Sequence, residues 1–538
     1  MSIPTIEAAA ASERSFRRAK RTVLLAITGV VAGLLLFIVW REMYGEKFTI
    51  SPETTYITEP LREDGLPDYA AALDALASVG VTPENNAAVL YWQAFGPEEV
   101  PAFAREEFFA KLGMEVPPPA GDYLITSAAF EKEQQAAEPA APADAPADES
   151  GQGGPTFSER LDRAMNAPWS ADDEPVVVEW IQRNEKPLGL IVEGTRRSRH
   201  YQPALIPPEE NRPGPLAGEM FPSLHTERDA ARLLCAWAMR RLHEGDVPGA
   251  QEDLLTCHRL ARSIAQGPST IRWLCGNHIE SFALDGDAAL AHHAGMSSAD
   301  AISFRDRLAS LPPMPTLSEA IDQGERLACL DYILRFVRYG EHVLPDGTLY
   351  STFERVPTKL VHWDMTLIRV NDLFDRMTAA TREPDRARRS TAVNEVRLRL
   401  GGMRDDTEKW WRVVADRSGL AADLVAPLMI PAIFPVLDAA DRGQTKFQLV
   451  QLALTLAAHR ADHGNYPATL DELAPRYIEA IPHDLYTGNP LIYRMSDDGG
   501  GYLLYSVGPN ETDDGRSQED DPAGDDIAIR TPQSEATP

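Results

Sequence analysis

The sequence has few cysteines and none of the short motifs that mark common catalytic or metal sites. It contains four cysteines in 538 residues, and no two of them form a Cys-x-x-Cys pair. This argues against a disulfide scaffold, a zinc ribbon and a thioredoxin-like site. HExxH, GxSxG, a Walker loop and a GxGxxG between strand and helix are also missing. We therefore predict no enzymatic activity, with a hydrolase site built from distant residues as an alternative.

The four cysteines fall in segments with helical spacing. Cysteine and histidine on facing helices can bind zinc, which makes the group Cys257, His258, Cys275 and His278 a candidate. Cys257, Cys275 and His278 all lie on apolar stripes, however, and a buried cysteine behaves as a small apolar side chain. Core packing is therefore the main interpretation, and a disulfide or a metal site is the alternative.

Positive charge is scarce. The chain carries 52 Lys and Arg against 81 Asp and Glu, a formal net charge of −29. An acidic surface repels phosphate, so we predict no nucleic-acid partner. Apolar residues make up 43% of the chain, which is enough to build a sizeable core.

Long apolar runs are also scarce, and residues 22–40 are the one stretch of membrane-spanning length. The run is uncharged, and 19 residues at about 1.5 Å each reach about 28 Å. Arginines and a lysine crowd residues 14–21, which by the positive-inside rule places the N-terminus in the cytoplasm. The residues after Trp40 offer no cleavage site for a signal peptide. We predict a single-pass inner-membrane protein with its bulk in the periplasm.

The rest of the chain divides by composition. The Ala-, Pro- and acid-rich stretch from 131 to 156 is typical of a disordered linker. The predicted regions are a cytoplasmic basic tail (1–21), the transmembrane helix (22–40), a mixed helical region (48–130), the linker (131–156), a helical body (157–437), a C-terminal module (438–508) and an acidic loop and tail (509–538).

The predicted body is strongly helical. Apolar residues recur at helical spacing in three consecutive segments. The second segment has its apolar face at Ala250, Leu254, Cys257, Ala261 and Ile264. The apolar face of the third is predicted at Ile271, Leu274, Cys275, His278, Ile279, Phe282 and Ala283. A Glu-Gly-Asp turn at 244–246 separates the first two segments. Helix, turn and helix resemble a tetratricopeptide-type hairpin, although no regular repeat follows. The fold class is therefore mainly α, with an antiparallel helical domain.

The C-terminal module reads as a helix from Phe447 to Gly464, a short capped helix at 469–484 and two strands around a Gly-rich turn. This order resembles the C-terminal domain of the major pseudopilin of type II secretion systems over about 80 residues. The matching residues are Gly464, Tyr466, Pro467, Pro482, Asp484, Gly488, Asn489, Pro490, Tyr493, Tyr505, Ser506, Gly508, Asn510, Asp525, Asp526 and Ile527.

The resemblance implies a small α+β fold and a calcium loop. Calcium prefers six to eight oxygen ligands, and the candidates are Asn510, Asp514, Asp525 and Asp526. Asn510 stands where the family has its first aspartate, which removes one charge. Residues 510–521 also show a partial EF-hand-like spacing. The alternative is a solvated acidic tail. The apolar run 22–40 contains no glutamate and lies about 400 residues before the module, which argues against assembly into a pilus-like fibre.

These patterns predict a membrane-anchored binding or scaffold protein of the bacterial cell envelope. The helical body would offer the surface for an unidentified envelope protein. An accessory or structural part of a type II secretion or pilus-like system is the first alternative, and an envelope hydrolase is the second. A deep pocket lined by carboxylates and histidine with shifted pKa values would favour the hydrolase.

Overall fold

The fold is described from a computed structural model. The residues that the structure describes are 20, 27–34, 36, 48–137, 155–209, 214–293, 295–339, 361–406, 412–496, 499–513, 515 and 524–531.

The chain is mainly helical, with 61% of it in helices and a three-stranded sheet near the C-terminus. This confirms the mainly α expectation. The helices of eight or more residues, with one of seven, are α1 (Tyr69–Ala77), α2 (Ala87–Phe95), α3 (Arg105–Lys111), α4 (Ser127–Ala137), α5 (Phe157–Asn166), α6 (Pro175–Gly194), α7 (Leu224–His243), α8 (Val247–Ile264), α9 (Thr270–His292), α10 (Ser298–Ala309), α11 (Arg326–Tyr339), α12 (Asp364–Thr381), α13 (Arg386–Asp406), α14 (Arg417–Met429) and α15 (Phe434–His463).

Shorter helical turns connect several of these helices. They are the 3₁₀ turns Leu216–Gly218, Ile430–Ile433 and Leu470–Leu473, the α-helical turns Leu317–Glu319 and Arg412–Ala415, and the π-helix Ala320–Glu325. The α4 helix covers the first residues of the predicted linker, and 138–154 lie outside the described residues.

The predicted transmembrane helix at 22–40 is wrong. Among the described residues, no helix is both long and apolar enough to cross a membrane. The described part of this segment is the helical stretch 27–34 with residue 36. The predicted single-pass, inner-membrane localisation depended on that helix and is wrong with it. Of the predicted basic tail, 1–19 and 21 lie outside the described residues.

Helices α7 and α8 form the predicted hairpin. Gly245 has φ +81°, which only glycine adopts without strain, and so it reverses the chain after α7. The Asp246 side chain then accepts a hydrogen bond from the Gly249 N–H and caps α8. The predicted apolar face of α8 is fully buried, from Ala250 to Ile264. Spacing and turn chemistry together therefore specified this hairpin.

The predicted apolar face of α9 is partly wrong. Ile279 and Ala283 are buried as expected, but Ile271 and Leu274 are 48% and 37% exposed, and His278 is exposed. Arg272 and Glu280 are buried instead, because each has a charged partner in the interior: Arg272 pairs with Glu227, and Glu280 pairs with Arg262. The buried side of α9 is thus set by ion pairs as well as by apolar residues.

The C-terminal module consists of α15, the turn Leu470–Leu473 and an antiparallel sheet. Gly464 ends α15 with φ +81°, the left-handed conformation typical of a helix C-cap. The strands are β1 (Ile492–Met495), β2 (Tyr502–Ser506) and β3 (Ile527–Thr531), in the order β1-β2-β3. Leu504 pairs with Tyr493 and with Ile529 across the two ladders. The third strand lies in the stretch expected to be an acidic tail.

The described chain divides into two compact units. The smaller comprises 1–58, 333–372 and 400–428, and the larger comprises 59–332, 373–399 and 429–538. The larger unit contains α1 to α10, α15 and the sheet, and its core is one apolar cluster that runs from Ala87 to Ile529. The sites described below all belong to this larger unit.

Candidate functional site

A groove of about 470 Å³ lies between α1, α3 and the segment 203–216, and we call it the body groove. Ligand sites typically have volumes of about 300–1,000 Å³ and mainly apolar walls. Twelve of the nineteen residues that line the body groove are apolar. They are Tyr69, Ala70, Ala71, Phe103, Ala104, Phe108, Pro203, Ala204, Leu205, Ile206, Pro208 and Leu216.

Phe103 gives the groove an exposed apolar surface. Its side chain is 53% exposed, whereas Phe108 one turn further along is buried. Phe103 lies just before α3, and Phe108 anchors α3 by an edge-to-face contact with Trp92, with ring centroids 5.1 Å apart. Phe103 therefore adds apolar surface that a ligand in the groove would contact.

Two ion-paired cations supply polar groups at the groove. Lys111 Nζ lies 2.9 Å from Asp74 Oδ2 and 3.1 Å from Glu107 Oε1. Burial alone would lower the pKa of Lys111, but these two carboxylates overcome that effect and raise it. Arg62 Nη1 lies 3.4 Å from Asp331 Oδ1, and Asp331 Oδ2 accepts the Leu216 N–H at 2.9 Å. These pairs fix the groove walls at both ends.

Arg62 retains unused hydrogen-bonding capacity. Its side chain is only 8% exposed, and its Nη2 is buried without a hydrogen-bond acceptor among the described residues. A buried donor without an acceptor costs stability, on the order of 1–3 kcal/mol. A ligand that carries an acceptor near Arg62 would therefore gain from binding there.

A small enclosed cavity adjoins the body groove, because Asp74 and Ala204 line both. The cavity also contacts His200, Glu219 and Arg272. Its volume is about 30 Å³. A single water needs about 10–15 Å³ of such space, so the cavity suits a water molecule or two.

Burial shifts the titration of the groups around this cavity. It raises the pKa of the Glu219 carboxyl to about 7. Burial, with the nearby Arg272 guanidinium, holds the pKa of His200 well below its ordinary value. His200 is therefore neutral at physiological pH, and its Nδ1 is buried without a hydrogen-bond partner among the described residues.

Hydrogen bonds tie the cavity to the helical core. Arg272 Nη2 donates to Glu227 Oε1 at 3.1 Å, and Ser223 Oγ donates to the same oxygen at 2.9 Å. Gln202 Nε2 also donates to Glu227 Oε1, at 3.2 Å. Glu227 is fully buried, so these donors compensate the cost of removing its charge from water. This network joins α7, α9 and the segment 200–202.

The cavity has the composition expected for the hydrolase alternative but not the size. One carboxyl group, that of Glu219, and one histidine, His200, with shifted pKa values do line it. A space for one or two waters cannot hold a substrate, however. We therefore regard the Glu227 network as a means of positioning α7 and α9, and we do not propose hydrolysis.

The structure brings two of the four predicted calcium residues, Asn510 and Asp525, into contact, and Asp514 lies outside the described residues. The Asn510 N–H donates to Asp525 Oδ2 at 2.9 Å, and Asp526 follows directly. Gly508 allows this approach: its φ is +70°, and a Cβ there would lie 2.2 Å from the Asp525 carbonyl oxygen. Asp525 Oδ1 is buried and has no hydrogen-bond partner within the part of the chain that the structure describes. The described residues contain no group of three or more Asp, Glu, His or Cys side chains placed to hold a metal.

The cysteine and histidine candidates take different positions. All four cysteines are buried and free, and Cys235 Sγ lies 3.8 Å from Cys257 Sγ. His258 pairs with carboxylates instead: its Nε2 lies 2.8 Å from Asp287 Oδ2, and its Nδ1 lies 2.9 Å from Glu280 Oε2 at an angle unsuited to a hydrogen bond. The core-packing interpretation of the cysteines therefore agrees with their burial.

Sequence reasoning missed both the body groove and the polar cavity. Their charged residues come from segments far apart in the chain, with Arg62 and Asp331 as the widest pair. One usable indication was Arg272, a charged residue directly between two apolar ones in a helical segment. No family model matches this chain, and comparison with curated proteins and with solved structures found no similar protein.

Proposed function

We propose that this protein is a non-catalytic binding protein, and that the body groove is where its ligand or partner binds. One observation carries the proposal: a groove of about 470 Å³ that is lined by both apolar and polar groups and has an exposed aromatic ring and a buried guanidinium. An apolar ligand, or an apolar side chain of a partner protein, would bury Phe103, and a hydrogen-bond acceptor on it would meet Arg62. Burial of apolar surface contributes about 25 cal/mol per Å².

The proposal is tested with N-phenylnaphthylamine, a neutral apolar dye whose fluorescence rises when it leaves water. The full chain should bind this dye with saturation. Ala104→Trp places a large ring in the groove and should lower the affinity about tenfold or more. Phe103→Ser removes an apolar ring from the wall of the groove and should also weaken binding of the dye.

A matched control distinguishes binding in the groove from non-specific binding of the dye to exposed apolar side chains. Leu398→Ser removes a side chain that is 76% exposed on α13, away from the groove, and should leave the dye affinity unchanged. Equal binding by the wild type and Ala104→Trp would contradict the proposal. Thermal melts of each variant check that it is folded.

We also propose that the C-terminal module is pseudopilin-like and that its 508–526 region binds calcium. Three features support this: the left-handed cap at Gly464, the three-stranded antiparallel sheet, and the contact between Asn510 and Asp525. The unpartnered Asp525 Oδ1 supplies a candidate oxygen ligand. An accessory role in a type II secretion or pilus-like system is the corresponding alternative function.

Calcium binding to the native state should raise the melting temperature relative to EDTA. At a hundredfold excess of free calcium over Kd the gain is about 2.7 kcal/mol. Asp525→Ala should abolish the shift, whereas Asp162→Ala, at an exposed position on α5, should retain it. A shift of equal size in Asp525→Ala would place the ion elsewhere, and its absence in the wild type would make the loop a solvated segment.

A further inference from the structure

A second cleft, of about 410 Å³, lies between α9, α15 and β3, and we call it the junction cleft. It forms where the helical body meets the C-terminal module, so residues far apart in sequence face one another. Asn277, His278 and Ser281 come from α9, Arg442 and Lys446 from α15, and Arg530 from β3.

Three cationic side chains converge on the junction cleft in a chain whose net charge is −29. Lys446 Nζ lies 2.6 Å from Asp285 Oδ1 and 3.3 Å from Ser281 Oγ. Among the described residues, Arg442 makes one long hydrogen bond, at 3.4 Å, to the Asp525 carbonyl oxygen. Arg442 is half-buried on the first half of α15, and most of its donors are thus available to a ligand.

The carboxylates at the cleft do not cancel this charge. Glu280 lies at the cleft, but its Oε2 contacts Arg262 at 2.6 Å and His258 at 2.9 Å. Burial alone would lower the pKa of His258, but Glu280 and Asp287 overcome that effect and raise it to about 9. Two buried cations therefore balance the two buried acids below the cleft. Asp285, which contacts Lys446, and Asp526 are then the acidic groups beside the three cations, which leaves one positive charge in excess.

His278 gives a second sign of positive potential. Partial burial lowers its pKa, and the neighbouring charges of Arg228, Arg232 and Lys446 lower it further, while Asp285 acts in the opposite direction. Protonation of His278 is thus disfavoured by surrounding cations. The same field favours an anion in the cleft.

We infer that the junction cleft is an anion-binding site that takes a phosphate group. Arg442, Lys446 and Arg530 provide charge-assisted donors, and Asn277 and Ser281 add neutral ones. A tetrahedral dianion has four oxygens and uses more donors than a carboxylate, and arginine and phosphate form paired, parallel hydrogen bonds. The site is separate from the body groove and does not depend on it.

Inorganic phosphate is the probe, and the full chain is titrated by calorimetry in EDTA so that calcium plays no part. The wild type should bind phosphate with saturation. Arg442→Gln should lower the affinity about tenfold or more. Because Arg442 makes one long contact to a carbonyl, this variant should stay folded, which a thermal melt checks. Lys186→Gln removes a cation that is 77% exposed on α6 and should leave phosphate binding unchanged.

Two results would overturn the inference. If phosphate does not saturate the wild type, the cleft is not a phosphate site. If phosphate binds Arg442→Gln as tightly as it binds the wild type, the bound phosphate does not lie in the junction cleft. If acetate binds as tightly as phosphate, the cleft recognises a carboxylate and the phosphate assignment is wrong.

Discussion

His258 is a fully buried histidine that carries a charge in the folded chain. It lies between Asp287 and Glu280, and Glu280 also contacts Arg262. Burial of an ion pair is costly, and the compensation here comes from the hydrogen bonds that the two cations make, including Arg262 Nε to the Pro312 carbonyl oxygen at 2.6 Å. The group holds α8 and α9 together from inside.

His258→Gln should lower the free energy of unfolding by about 3–5 kcal/mol at slightly acidic pH, because it leaves two buried carboxylates with one cation. The pKa of His258 rises from 6.5 to about 9 on folding. A pKa that rises on folding contributes stability that is fully present below 6.5 and is lost as the pH rises through about 9. The difference between wild type and variant should therefore shrink over that window.

Urea unfolding of both proteins at a series of pH values measures this difference. The difference between the two proteins cancels the pH dependence that comes from buried carboxyls away from His258, such as Glu219, whose pKa also rises on folding. If the difference in unfolding free energy between wild type and variant stays constant from pH 6.5 to about 9, His258 is neutral throughout this range.

At the scale of single elements, the end of α15 depends on one backbone conformation. Gly464 has φ +81°, and its N–H donates to the Arg460 carbonyl oxygen at 2.7 Å. A Cβ at this position would touch nothing within 4 Å, so the cost of Gly464→Ala comes from the backbone alone. We expect a loss of about 1–2 kcal/mol in the free energy of unfolding.

Gly189→Ala is the matched control. Gly189 lies in α6 at an exposed position where a Cβ also meets nothing within 4 Å. Alanine has the higher helix propensity, so this change should stabilise the chain by about 0.5–1 kcal/mol. Urea unfolding measures the free energy of unfolding of both variants. If this free energy changes in the same direction in both, the left-handed assignment at Gly464 is contradicted.

Elements were predictable from sequence where local chemistry decides the outcome. The α7–α8 hairpin followed from apolar spacing and the Gly245 turn, and the C-terminal end of α15 and the hairpin β1–β2 followed from their glycines. The start of α15 was mispredicted, because the helix begins at Phe434 and not at Phe447. The exposed side of α9 was mispredicted because Arg272 and Glu280 find partners that no spacing rule reveals. Strand β3 was missed because its pairing partner, β2, lies across an acidic stretch that reads as loop.

At the scale of the whole molecule, the binding surfaces were not predictable because each one is assembled from distant segments. The body groove joins Arg62 to Asp331, and the junction cleft joins α9 to β3. A single sequence shows spacing within a segment and says nothing about which segments meet. The candidate calcium residues came from the order that the resemblance implies, and the structure places the Asn510 N–H beside the Asp525 carboxylate.

Hydrogen exchange with and without N-phenylnaphthylamine locates the ligand directly, which makes it the decisive measurement for the body groove. The proposal predicts slower exchange in α1, in α3 and in residues 203–208 when the dye is bound, with no change at 277–284 in the junction cleft. Unchanged exchange around the body groove under saturating dye, or protection confined to other segments, would show that this groove is not the binding surface.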